Sequence, residues 1–81
     1  MTVNELAETL KAKGYIMAEY TLWKSNIIFQ EVTSTDYVKD GKIAISTKRF
    51  EGAGGTQVTF INKHFEEEFK EMGIEVGTIL K

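Results

Sequence analysis

The chain has 81 residues and a mass of 9.2 kDa, room for one domain with a small core. It carries no cysteine, no proline and one histidine. That excludes disulfides, cysteine-ligated zinc, iron–sulfur clusters, thiol nucleophiles and any site needing two imidazoles from one chain. The formal net charge of −2 and a pI near 5.4 argue against a generally basic nucleic-acid binder.

Leu, Ile, Val and Phe make up 22 of the 81 residues, enough for a folded globular chain. The first segment reads as a helix over residues 3–13. Thr2-Val3-Asn4-Glu5 has the spacing of a capping box, and Met1 and Leu6 fall where a hydrophobic staple would close. Val3, Leu6, Ala7 and Leu10 form one apolar stripe. Gly14 then supplies the left-handed residue of a Schellman ending, with Leu10 and Tyr15 as its apolar pair. The N-terminus has no 7–15-residue apolar run, so it does not read as a secretory signal. The longest apolar stretch, Ile27-Ile28-Phe29, is far short of a bilayer span. The expectation is a cytoplasmic protein with no membrane association.

The middle of the chain is rich in β-branched residues, which number 22 overall. Residues 15–23 read as a strand. Ile16, Ala18, Tyr20 and Leu22 fall on one face, and Met17, Glu19, Thr21 and Trp23 on the other. With the first set against the helices, Trp23 would lie on the open face with Phe29 and Phe50. Lys24-Ser25-Asn26 reads as a turn, with the chain returning over 27–33. Asp40-Gly41 is a strong type I′ hairpin signal between 37–39 and 42–45. The loop 51–55 joins strand 42–50 to strand 56–61.

A second helix is expected over 63–72. Asn62 is its N-cap, Phe65, Phe69 and Met72 its buried stripe, and Gly73 its ending. Alternation of Ile74, Val76, Thr78 and Leu80 suggests a short final strand. The order predicts a single α+β domain over 1–81. A two-layer sandwich is expected, with a four- to five-stranded antiparallel meander flanked by an N-terminal and a C-terminal helix.

Charge is segregated along the chain. Residues 39–49 hold four bases against one acid, net +3, and residues 63–75 hold five acids against two bases, net −3. The outer face of the second helix, with Glu67, Glu68, Glu71 and His64, is the candidate protein-docking surface. It fits a small inhibitor or adaptor of bacterial or phage type, seated on a basic partner. The second reading is weak nucleic-acid binding through Lys39, Lys42, Lys48 and Arg49, with Trp23 and Phe50 as stacking partners. The third is a structural homodimer built on the Trp23 and Phe29 face. Gly52-Ala53-Gly54-Gly55-Thr56 precedes a strand pattern, so no helix N-terminus follows to bind phosphate. No nucleophile–base constellation, calcium-loop pattern or metal-ligand spacing is present, so neither catalysis, metal nor cofactor is expected.

Overall fold

The computed structural model describes residues 1–27, 30–50, 52 and 54–81. Helix α1 spans Val3–Ala12 and opens on the capping box. The Glu5 amide donates to Thr2 Oγ1 and the Thr2 amide to Glu5 Oε1, both at 3.1 Å. It closes at Gly14, whose φ of +89° admits a residue without a Cβ at little cost. The Gly14 amide reaches the Lys11 carbonyl and the Tyr15 amide the Leu10 carbonyl, each at 3.0 Å, which is the Schellman pattern.

Strands β1 (Ile16–Ser25), β2 (Gln30–Lys39), β3 (Lys42–Phe50), β4 (Thr56–Ile61) and β5 (Ile79–Leu80) form one antiparallel sheet in that order. Between β4 and β5 a 3₁₀ turn (Lys63–Phe65) leads into α2 (Glu66–Glu71). The result is the expected α+β arrangement of a five-stranded meander with a helix near each end.

Beyond one-residue shifts at the ends of both helices and at the start of β1, boundaries differ from expectation in four places. β1 continues through Lys24 and Ser25, so the turn begins at Asn26 rather than spanning 24–26. The return is one strand over 30–39, not separate pieces at 27–33 and 37–39, because every residue from Gln30 to Lys39 pairs with β1 or β3. Residues 28, 29, 51 and 53 lie outside the described chain, and with them the Phe29 and parts of the 27–33 and glycine-loop expectations. The second helix starts as a 3₁₀ turn, since the Asn62 side chain caps the nearby His64 amide at 3.0 Å. The final strand is cut to residues 79–80. Gly73, at φ +77°, and Ile74 close α2 by the same Schellman device, and a turn at Val76-Gly77 intervenes.

Glycine matters at Gly55 for a different reason. A Cβ there would lie 2.8 Å from both the Leu80 carbonyl oxygen and Ile79 Cγ2, so β5 packs on bare backbone. The Asp40-Gly41 turn takes φ values of +54° and +72°, as type I′ requires.

Cross-strand partners share a face, so the register sorts the side chains. Tyr37, Ile45, Val58 and Leu80 meet Leu6, Leu10, Tyr15, Phe69 and Ile74 in one core. Full burial of Leu6 and Leu10 contributes roughly 2–3 kcal/mol each. Farther along the helix side lies a cleft of about 50 Å³, lined by Val3, Glu19, Thr33, Thr35, Thr47, Arg49 and Thr56.

Three bulges interrupt the ladders. They place Leu22, Ala44 and Thr59 as the extra residues. The first corrects the predicted faces. Thr21 pairs with Thr33, but Trp23 pairs with Val32, so Trp23 shares a face with Ile16, Ala18 and Tyr20. That set is turned away from the helices, with Ile16 70% exposed, rather than against them.

Candidate binding surface

The acidic helix is partly used by the fold itself. Glu68 accepts from Lys13 Nζ at 3.2 Å and from Tyr15 Oη at 3.0 Å, linking α2 to the end of α1. Burial pushes its carboxyl up, but the bonds from Tyr15 and Lys13 and the charges of Lys13 and Lys39 outweigh it and hold the pKa below the usual carboxylate range. Tyr15 in turn packs on Phe65 and Phe69, with ring centroids 6.0 and 6.2 Å away, and Lys39 Nζ sits 4.9 Å above its ring. Glu67, Glu71 and His64 are exposed. Among the described residues no group of three or more His, Asp or Glu could hold a metal ion.

Behind α2, a cleft of about 380 Å³ is lined by Ile61, Lys63, Glu66, Lys70, Ile74, Glu75 and Val76. Two bases and two acids share it, so it favours neither sign of ligand.

The basic and aromatic residues divide between the two faces of the sheet. Lys39, Lys42 and Arg49 occupy helix-side positions, by their pairing with one another and with Thr33. Trp23, Lys48 and Phe50 occupy the open side. One cation therefore accompanies the stacking aromatics, not four.

The open face is built as four rows across the strands. Trp23, Val32 and Phe50 form the first; Tyr20, Ser34, Lys48, Gln57 and Ile79 form the second. Ala18, Asp36, Ser46 and Phe60 form the third, and Ile16, Val38 and Ile43 the fourth. Seven large apolar side chains here (Ile16, Tyr20, Trp23, Ile43, Phe50, Phe60 and Ile79) are between 42% and 70% exposed.

A polar centre separates the two apolar ends. Asp36 accepts from Ser46 Oγ at 2.6 Å and from Tyr20 Oη at 3.1 Å. Lys48 Nζ donates to Thr59 Oγ1 at 3.0 Å and, among the described residues, has no carboxylate within 4.0 Å. Ser34 Oγ is buried beside them without a hydrogen-bond partner among the described residues.

The chain matches no known protein family, no characterised protein and no solved structure. Sequence reasoning placed Trp23 and Phe50 on an open face but missed Ile16, Tyr20, Ile43, Phe60 and Ile79 beside them. Alternation alone carried no signal for them: Ile43 with Ile45, and Val58 with Phe60, are two residues apart and read as one face until the bulges at Ala44 and Thr59 split each pair.

Proposed function

We propose that the protein is a non-enzymatic binding module whose working surface is the open face of its sheet, covered by protein in use. The observation that carries this reading is the cluster of seven exposed apolar side chains on one face. The aromatics offer roughly 200 Å² of side chain each and isoleucine somewhat less, so at these exposures the seven leave on the order of 700 Å² uncovered. Divided between the two ends of the face, this is roughly 300–400 Å² apiece, each the size of the largest apolar patch on a typical monomer, which is often functional. Nucleic acid is less well supported, because three of the four basic side chains lie on the other side of the sheet from Trp23 and Phe50.

Docking through the acidic helix, as an inhibitor or adaptor would, retains Glu67, Glu71 and His64 as exposed contacts. The two surfaces separate in one capture experiment. Tagged protein is used as bait in lysate from cells that also produce an untagged copy. Trp23→Ser with Phe50→Ser is expected to lose the captured protein, while Glu67→Lys with Glu71→Lys keeps it. Loss with the helix variant and retention with the folded sheet variant would overturn the reading.

A further inference from the structure

Building on that reading, we propose that the occupant of the open face is a second copy of this chain, packed sheet against sheet about a two-fold axis between Asp36 and Lys48. The uncovered apolar area approaches the about 800 Å² per partner of a standard protein interface. The face also carries one acid and one base, net zero, so it has no preference for a basic or an acidic partner.

Their placement is self-complementary. Ser34 pairs with Lys48 and Asp36 with Ser46, so Asp36 and Lys48 are diagonal neighbours on the two adjacent strands β2 and β3. A two-fold axis lying between two facing sheets, and perpendicular to the line joining these residues, sets Asp36 of each copy over Lys48 of the other. Both contacts form at once, as an isologous interface demands. Lys48, which has no carboxylate within 4.0 Å among the described residues of its own chain, gains one from the partner.

The same axis fixes the remaining geometry. With strands about 4.8 Å apart and about 3.4 Å of rise per residue, the diagonal lies roughly 35° from the strand direction, and the two sheets cross at twice that. Such a crossing belongs near the orthogonal class of sheet packing. The Trp23–Val32–Phe50 and Ile16–Val38–Ile43 rows lie on opposite sides of the polar centre, so apolar contact surrounds the two charge pairs. Area supplies the attraction, and the charges select the register.

Sedimentation equilibrium of the purified protein tests this. Wild type is expected at twice the 9.2 kDa chain mass. Lys48→Glu, which among the described residues loses only the bond to the Thr59 hydroxyl, is expected to weaken self-association at least ten-fold while keeping its circular dichroism spectrum. Asp36→Lys alone should also dissociate, yet an equimolar mixture of D36K and K48E should form the heterodimer, because both crossed contacts are again attractive. Should D36K fail to fold, W23S replaces it and is expected to dissociate as K48E does.

A wild-type monomer at every concentration overturns the dimer. So does a K48E protein that associates like wild type, or folded D36K and K48E that do not combine. A monomeric wild type that still captures a foreign protein in a Trp23- and Phe50-dependent way would refute the second copy and leave the binding-module reading standing. Loss of both would remove the two together.

Discussion

Replacing Tyr15 with Phe removes one hydroxyl from the junction of α1, β1 and α2, and its effect should change with pH in a calculable way. Tyr15 is 4% exposed and donates to the Glu68 carboxylate. Its own pKa is pushed up to about 12, first by burial, then by the hydrogen bond to Glu68 and the charges of Glu68 and Asp40. At pH 7 the lost bond is charge-assisted but partly solvated, since the Glu68 side chain is 31% exposed, so the variant should be less stable by about 1–2 kcal/mol.

At high pH the balance shifts. Between pH 10 and 12 the unfolded phenol ionises while the folded one holds its proton, so wild type loses stability as pH rises. Two pH units of displacement amount to about 1.4 kcal/mol lost by pH 11. The stability gap between wild type and Tyr15→Phe, measured as paired urea midpoints, should therefore shrink from pH 7 to pH 11 until the two proteins are nearly equal. Tyr37, also raised by burial and by the Glu19 charge, is present in both proteins and cancels. A gap that stays constant over this range would refute the Tyr15–Glu68 coupling.

Two further outcomes follow from the same geometry. Glu68 has a lowered folded pKa, so it stabilises the protein above its unfolded pKa and that contribution disappears as acid titrates it through the folded value. Glu68→Gln should flatten the loss of urea stability between pH 6 and pH 3, and an unchanged slope would count against the tie. Gly55→Ala drives a Cβ into the Leu80 carbonyl and should cost about 1–3 kcal/mol. Hydrogen exchange at the Val58 amide, which bonds the Thr78 carbonyl at 2.9 Å, should accelerate, and unaltered exchange would show that β5 can shift freely.

What could be read in the sequence was local chemistry. Thr2 with Glu5, Gly14 with Leu10 and Tyr15, Gly73 with Phe69 and Ile74, and Asp40 with Gly41 each complete their motif within a few residues, and each forms as expected. What could not be read depends on partners distant in the chain. The face of Trp23 is decided by one unpaired residue against β2, and nothing in Ile16–Ser25 itself marks Leu22 as that residue. Glu68 looks like its neighbours Glu67 and Glu71 until Lys13 and Tyr15, more than 50 positions earlier, come within bonding distance. Segment 74–80 alternates like a strand, yet the turn at Val76-Gly77 leaves only two residues to pair with β4.

The bulge at Leu22 also shapes the free edge of the sheet. β1 is a ten-residue edge strand with Ile16, Met17, Tyr20, Leu22 and Trp23 along it and only Glu19 and Lys24 as charges. A flat edge of that length and composition is a template for strands from any neighbouring chain, the first step toward fibres. Leu22 adds one residue that β2 does not match, which kinks and twists the edge near its middle. The kink that turns Trp23 toward the open face thereby also guards the sheet's border: association through the face about a two-fold axis would end at a closed pair, whereas association through the edge would have no natural stopping point.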